Sequence, residues 1–510
     1  MAVNYEKFDW SRSGQSNSSD QNQDKGAVSD AIFKAYDIRG IYPDELNEET
    51  VFKIGGAFAQ FLDKQKELSG RQIVIARDAR LSSPALFEAA AKGVILKSVD
   101  VIDIGEVSTP FFYWAVEKEQ ADGGIMITAS HDPAQYNGLK LCGRKAKPIS
   151  ADSGLKIIQR LVNEMSPLSR RQSEFEPELL SLKKDEDFSF REKEDLTALS
   201  IPALFGKITK KDLLFDYIDF ISQKEDLNKI KPLKIVIDCG NGVIGREIKE
   251  IAKKLSCQID IIFGEPDGNF PNHEPNPAII KNLELLRQKV VEQKADLGAA
   301  FDGDGDRLVL VDEQGAIIRG DFLGVLIAKE LLNKNPGEKI FFEVRASQIV
   351  PETIKDNKGI PVLGRAGHSF IKEQMRAENI LFGFETTGHY YFRELNFTDN
   401  ALFALLKVLL ILSDSQKLLS ELISPLNKYF LSGEINFRAQ NSEKILDEIE
   451  KHFSDGQIKK IDGLTVEYPH WRFNLRQSNT EPLLRLNLEA DTKELMEEKK
   501  EEIKKLIFPQ

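Results

Sequence analysis

A chain of 510 residues, 41% hydrophobic and 29% charged, has the composition of a soluble globular protein and is too long for one compact core, so several domains are expected. Its formal net charge of −12 excludes nucleic acid as the main partner, because a phosphate backbone is held by a broad basic surface; any phosphate bound here must meet a local basic pocket. The most apolar run, Ala401 to Leu412, is short and carries Lys407, so it reads as a buried helix and no membrane association is expected.

Residues 1–28 are rich in Ser, Asn, Gln and Asp and are expected to be a disordered tail. They have neither a basic start nor an apolar core, which excludes a secretory signal and implies a cytoplasmic protein. Cys142, Cys239 and Cys257 are odd in number and widely spaced, fitting reduced thiols better than a disulfide framework or a zinc site.

From Ile32 onward, short β-rich runs alternate with helical patterns, as in βαβ units around parallel sheets. Ile73–Ala76, Ile125–Ile127, Ile235–Ile237, Leu297–Ala300 and Ile340–Phe342 each read as a buried strand running into polar or Gly-rich residues. Ligands gather beyond the carboxyl ends of such strands. The charged, aperiodic stretch 166–211 reads as a linker or insertion. After about Tyr429 the pattern becomes a smaller α+β unit, with strands near Glu434–Phe437 and Leu483–Leu488 and a charged final helix from Thr492.

Four segments carry candidate chemistry. Thr128-Ala129-Ser130-His131-Asp132-Pro133 leaves a buried strand and puts the Ser130 hydroxyl on a turn; alone, it fits a turn serine better than a nucleophile, which needs a base or a metal to activate it, and the acidic loop below reverses that balance. Asp302-Gly303-Asp304-Gly305-Asp306-Arg307 would project its carboxylates to one side if extended, a set of hard oxygen ligands suited to Mg²⁺ or Ca²⁺. An EF-hand reading, prompted by Glu313 at the twelfth position, fails because the sixth is Arg307 and a strand, not a helix, follows. Gly383-Phe384-Glu385-Thr386-Thr387-Gly388-His389 offers a carboxylate, hydroxyls and an imidazole to a sugar. Arg476-Gln477-Ser478-Asn479-Thr480-Glu481-Pro482-Leu483-Leu484-Arg485 flanks a turn with arginines, the equipment for gripping a phosphate dianion.

These four loops in this order resemble the α-D-phosphohexomutase family. Phe33–Gly40, Arg77–Ser83, Gly367-His368 and Ser432–Asn436 extend the resemblance from about Phe33 to Ala490. It implies a heart-shaped α/β architecture of four domains around a cleft, three related mixed α/β sandwiches and a smaller α+β C-terminal domain. After the tail, the domains are expected at 29–178, 179–316, 317–428 and 429–510.

It also implies a phosphoserine at Ser130, and Mg²⁺ held by Ser130, Asp302, Asp304 and Asp306. Sugar contacts would come from Tyr36, Arg345, His368, Glu385, Thr387 and His389, and a phosphate grip from Arg476, Ser478, Asn479, Thr480 and Arg485. Arg39, Lys140, Arg307 and Arg345 become candidates for neutralising the transferring phosphoryl group. Lys140, His131 and His389 remain alternatives for general acid and base.

The implied reaction moves a phosphoryl group between the C6 and C1 oxygens of a hexose through a hexose 1,6-bisphosphate. Tyr136-Asn137-Gly138, Ser432–Asn436 and Asp462–Asn474 look most like members acting on mannose phosphates, with glucose phosphates as further or even main substrates. A silent phosphosugar-binding homologue is the rival reading; oligomeric state is not legible. Asp132 stands where the family usually has Asn, Thr387 where Ser is usual, and Phe384 replaces a glycine, which is expected to restrict the backbone.

Overall fold

The computed structural model describes residues 28–65, 70–165, 205–439, 441–477 and 483–508. The expected disordered tail over 1–28 lies outside those residues except for Val28, which is buried in the core of the first sheet. The expected linker over 166–211 lies outside them up to 204, and its end is not a linker, because Ile208–Lys210 pairs as a strand with Val101–Asp103 of the first sheet.

Three sheets share one plan. The first comprises β1 (Ile38–Ile41), β2 (Gln72–Arg77), β3 (Asp100–Glu106), β4 (Gly123–Ile127), β5 (Tyr136–Gly143) and β6 (Ile208–Lys210), in the order β1-β5-β4-β2-β3-β6. The second comprises β7 (Lys234–Asp238), β8 (Gln258–Ile262), β9 (Leu297–Phe301), β10 (Leu308–Asp312) and β11 (Ile317–Ile318), in the order β11-β10-β9-β7-β8. The third comprises β12 (Lys339–Glu343), β13 (Ile360–Gly364), β14 (Phe382–Phe384), β15 (Tyr390–Phe392) and β16 (Thr398–Asp399), in the order β13-β12-β14-β15-β16. Each has a parallel centre, such as β4-β2-β3 or β9-β7-β8, that is extended by antiparallel strands.

The sheets are therefore mixed rather than parallel, and the reason lies in the connections. Phe301 faces Leu308, and Phe384 faces Tyr390, so each pair is joined by a short loop that can only return the chain antiparallel; a parallel partner needs a long crossover. The serine segment likewise links the antiparallel pair β4 and β5. All three loops leave the carboxyl end of a buried strand, as the sequence reading expected for the serine and aspartate loops; the strand before the third, Phe382–Phe384, it did not single out.

The fourth sheet is wholly antiparallel: β17 (Phe430–Arg438), β18 (Gln457–Lys459), β19 (Leu464–Glu467), β20 (Trp471–Gln477) and β21 (Leu483–Ala490), in the order β17-β21-β20-β19-β18. It is covered by the helices Ser442–His452 and Lys493–Ile507 and has its own core around Phe473, Leu486 and Ile503. Thr492 caps the last helix by accepting from Leu495 N at 3.2 Å.

A larger core runs without interruption from Val74 to Leu426 through the first three sheets. Its most apolar element is the helix Ala401–Ser415, capped by Asn400 and buried along most of its length, as expected for this run. Lys407 is buried there against Glu225 and Glu394. Among the described residues no helix is long and apolar enough to cross a membrane. All three cysteines are free thiols.

Side chains also fasten the loops across sheets. Glu247 accepts from Ser108 N and Ser108 Oγ, both at 2.9 Å, and Thr109 Oγ1 donates to Asp304 Oδ2 at 2.6 Å. Glu489 of β21 accepts from Ser347 Oγ and Gln348 N, both at 2.7 Å, docking the fourth sheet on the third.

Candidate active site

Ser130 sits one residue past the Thr128-Ala129 exit from β4, buried, with φ of 51°, a conformation uncommon for a side-chain-bearing residue. Arg80 supports this turn. Its guanidinium is buried and donates to the carbonyls of Ser130 (3.0 Å), Asp132 (2.6 Å), Pro133 (2.7 Å) and Tyr136 (3.0 Å), while Asp78 holds its Nε at 3.0 Å. Thus the backbone carbonyls fold inward and the Ser130 hydroxyl is turned toward the second sheet. Ser130 Oγ lies 2.8 Å from Asp302 Oδ2 and 3.3 Å from His131 Nδ1. Burial, with Arg307 and Arg39 nearby, pushes the His131 imidazole well below its usual range.

The Asp302–Arg307 segment is not extended, as the alternate-side reading assumed. Gly305 at φ +68° curls it into a turn, and Asp302 Oδ1 accepts from the backbone N–H groups of Asp306 (3.0 Å) and Arg307 (3.1 Å). The turn still converges its carboxylates: Asp302, Asp304 and Asp306 are buried and each offers an oxygen within 4.8 Å of the others. The following residues are β10, and Glu313 bonds to Ser420, in keeping with rejection of an EF-hand.

Lys140 Nζ lies 2.7 Å from Asp304 Oδ2 and 2.5 Å from Asp306 Oδ2. Burial opposes its charge, but these carboxylates outweigh burial and raise the ammonium well above its usual range. Burial and the neighbouring Asp306 and Asp304 push Asp302 well up. The buried Oδ1 atoms of Asp304 and Asp306 have no hydrogen-bond partner. Three converging carboxylates with unused acceptor atoms fit a hard divalent cation that would supplement or displace the ammonium.

On the third sheet, Gly388 at φ +94° turns the chain back from β14 to β15. Glu385 accepts from Gly367 N (3.0 Å) and from Tyr391 OH (2.7 Å), and Arg345 Nη2 approaches it at 3.7 Å. Buried Glu343 holds Arg345 and Thr386 together, accepting from Arg345 Nε at 3.0 Å and from Thr386 Oγ1 at 2.6 Å. His389 is within hydrogen-bond distance of Arg307 Nε (2.9 Å, at Nε2) and Asp399 Oδ2 (3.0 Å, at Nδ1). Phe384 is extended strand and packs its ring over Gly324, so the expected backbone restriction does not arise: the turn falls at Gly388. Thr387 is half-buried and makes no side-chain hydrogen bond among the described residues.

Arg39 spans Asp37 and Asp132, both at 2.8 Å, so Asp132 holds an arginine. Tyr36 stands edge-on to His368, ring centroids 5.0 Å apart. Arg476 and Arg485 face each other across β20 and β21 and share Glu434, at 3.1 and 3.4 Å. Glu434 is among the carboxylates that raise the Arg345 guanidinium. Ser478, Asn479 and Thr480 lie outside the described residues.

The structure therefore gathers Ser130, His131, Lys140, Arg307, His389 and the three aspartates into one bonded network, with Arg39, Tyr36, His368, Arg345 and Glu385 beside it. Arg476 and Arg485 meet at Glu434, whose charge in turn bears on Arg345 beside that network. Sequence reasoning did not single out Asp399, Lys372, Tyr391, Glu343 or Thr109. Asp399 alone had a visible signal, a carboxylate just ahead of the Asn400 cap.

Four family models match in order, described as phosphoglucomutase/phosphomannomutase alpha/beta/alpha domains I, II and III and the C-terminal domain, at residues 30–167, 215–315, 319–429 and 434–506. The chain is similar to a phosphomannomutase of Vibrio cholerae, 39% identical over 487 residues, covering 93% of this chain and 98% of that protein. It is 37% identical over 479 residues to phosphohexose mutases of Xanthomonas campestris, covering 93% and 98%. A crystal structure of a phosphoglucomutase/phosphomannomutase family protein from Burkholderia thailandensis superposes with a TM-score of 0.80 at 31% identity, covering 94% of this chain and 97% of that one.

Proposed function

The chain belongs to the phosphoglucomutase/phosphomannomutase family, a phosphohexose mutase by descent, and from that premise we propose that it interconverts mannose 6-phosphate and mannose 1-phosphate, and the glucose phosphates also, through a phosphorylated Ser130. The observation that carries this reading is the 2.8 Å approach of Ser130 Oγ to Asp302 inside a buried carboxylate trio. Binding alone requires neither an activated hydroxyl nor such a trio.

In this reading Asp302, Asp304, Asp306 and the phosphorylated Ser130 hold Mg²⁺, which when bound supplies charge neutralisation to the phosphoryl group. Phosphorylated Ser130 gives up its phosphoryl group to a free sugar hydroxyl. The Oγ–P bond breaks, an O–P bond to the sugar forms, and the hydroxyl proton passes to His131, to His389, or to Lys140 as the neutral amine left when its carboxylates turn to the metal. The resulting hexose 1,6-bisphosphate turns over, and its other phosphoryl group returns to Ser130 with the proton movements reversed.

Arg39, Arg307 and Arg345 provide fixed positive charge around the transferring group, the kind of preorganised field on which such catalysis depends. Tyr36, His368, Glu385, Thr387 and His389 orient the sugar. Arg476, Ser478, Asn479, Thr480 and Arg485 grip the phosphate that is not being transferred. We divide the chain at 29–178, 179–316, 317–428 and 429–510, with Ile208–Lys210 returning from the second span to edge the first sheet, each domain giving one loop to the cleft, and place the protein in the cytoplasm.

Coupled assays on mannose 1-phosphate and glucose 1-phosphate, with Mg²⁺ and a trace of bisphosphate, test the proposal. Turnover of either supports it, and the ratio assigns the epimer. Silence on both, with phosphorylated Ser130 confirmed by mass spectrometry, leaves a phosphosugar-binding protein instead.

A further inference from the structure

Lys372, in the helix His368–Glu378, is a fully buried lysine with no part in the reaction described above. Its Nζ lies 2.8 Å from Asp399 Oδ1 and 3.9 Å from the centroid of the Tyr113 ring, a cation on an aromatic face from the helix Thr109–Lys118. The other oxygen of Asp399 meets His389 Nδ1 at 3.0 Å, and His389 Nε2 meets Arg307 Nε at 2.9 Å. These four side chains form an unbroken line from a helix of the third domain to the turn that carries Asp302, Asp304 and Asp306.

The direction of each bond follows from chemistry. An arginine Nε can only donate, so His389 Nε2 must accept, and the ring proton belongs on Nδ1, where it is given to Asp399. Asp399 Oδ2 is then committed to His389, while Oδ1 is held by the ammonium of Lys372 in an ion pair at 2.8 Å rather than in an aligned hydrogen bond. Burial lowers the Lys372 ammonium, while Lys372 and His389 draw Asp399 well below the usual carboxylate range.

We infer that Lys372 and Asp399 are a positioning pair that fixes His389 as its Nδ1–H tautomer and, through His389, anchors Arg307 by its Nε over the carboxylate turn. The terminal nitrogens of Arg307 make no hydrogen bond among the described residues, which leaves them to face a transferring phosphoryl group. In this arrangement His389 Nε2 is occupied, so the ring steers Arg307 and does not act as a free base unless Arg307 lets go. The kinetic consequence rests on the mutase reading; the tautomer does not.

Asn at position 399 offers one acceptor and one donor where the line requires two acceptors. Its amide must set an N–H against either the Lys372 ammonium or His389 Nδ1. Removing Lys372 relieves that conflict, because the amide oxygen can then serve His389 alone.

The test uses the full chain labelled with ¹⁵N-histidine, of which there are six, the His389 signals being assigned with His389→Asn. The unliganded wild type is expected to show His389 as the Nδ1–H tautomer. Asp399→Asn is expected to lose that signature and to lower kcat on the order of 10- to 100-fold with KM within about 2-fold. Asp399→Asn with Lys372→Met is expected to regain the tautomer and part of the kcat.

An Nε2–H tautomer in the wild type overturns the inference, as does a double variant no better than the single one. If Asp399→Asn does not fold, the wild-type tautomer and the double variant still decide. A wild type inactive on every hexose phosphate, yet with the expected tautomers, removes the mutase reading and leaves the positioning pair standing.

Discussion

Ser130 Oγ and Asp302 Oδ2 lie 2.8 Å apart although 172 positions separate them in the chain. Two different sheets meet there, and Thr109, which holds Asp304 by backbone and hydroxyl, closes the seam. Ser130→Ala is therefore expected to lose mutase turnover by on the order of 10³-fold or more, without change in the thermal midpoint beyond a few degrees. Intact-mass measurement should find a phosphoryl group on the wild type and none on the variant. A variant that still turns over at even a tenth of the wild-type rate would remove Ser130 from the reaction.

Lys140 and a divalent cation draw on the same carboxylates, so each should mask the loss of the other. Lys140→Met leaves buried Asp304 and Asp306 without their cation, at a cost of about 3 to 5 kcal/mol in metal-free buffer. Adding Mg²⁺ should recover much of it. The Mg²⁺-dependent rise in thermal midpoint is then larger for Lys140→Met than for the wild type, and chelation should inactivate the wild type. Equal rises in the two proteins would mean that the metal does not bind at this trio.

Glu434 occupies both Arg476 and Arg485 in the unliganded protein. A sugar phosphate gripped by those arginines must displace it or share them. Glu434→Gln is expected to lower KM for the hexose monophosphates several-fold, while Arg476→Ala raises it by about 10-fold or more, the worth of a charge-assisted hydrogen bond. A KM unmoved by either change would place the phosphate grip elsewhere.

How much of this was legible in the sequence depends on the range of the interaction. Strands such as Ile235–Ile237, and the loops that follow them, announce themselves through a local run of apolar residues ending in Gly or Asp. The convergence of Asp302, Asp304 and Asp306 was readable as a ligand set even though the backbone was expected to be extended, because the curl at Gly305 serves the same end. Arg80, Lys372 and Asp399 gave little away. Each acts on a partner that the fold brings in from another segment, and an isolated Lys in an amphipathic helix looks the same whether it faces water or an Asp. The resemblance implied mixed α/β domains, but the residue pattern by itself pointed to parallel sheets, because parallel and antiparallel buried strands share one apolar pattern; only loop length separates them.

Phe384, which replaces a family glycine, is built into the third sheet: its ring is fully buried over Gly324 and lies 5.7 Å from the ring of Phe382, which in turn lies 5.0 Å from that of Phe392. Phe384→Ala should therefore destabilise the protein by about 3 to 5 kcal/mol through the cavity it leaves. Chemical denaturation measures this directly. A loss below about 1 kcal/mol would mean that the neighbouring rings collapse into the space.

Glu247 gives the domain junction a pH dependence opposite to that of most carboxylates. It is buried, and burial raises its carboxyl to about 7, while the bonds it accepts from Ser108 N and Ser108 Oγ pull the other way without prevailing. The unfolded chain has the ordinary value of 4.5. Between these values the folded protein holds a proton that the unfolded chain has released. Glu247 thus contributes stability that is fully present below pH 4.5 and is lost as the pH rises through 7. Glu247→Gln keeps an acceptor for Ser108 N and cannot ionise, so relative to the wild type it should be more stabilising at pH 8 than at pH 5, by up to about 3 kcal/mol. Denaturation midpoints of both proteins at the two pH values check this, because every other titrating group is common to them and cancels in the difference. A difference that stays constant from pH 5 to pH 8 would mean that Glu247 is ionised throughout, and that the Ser108 bonds outweigh its burial.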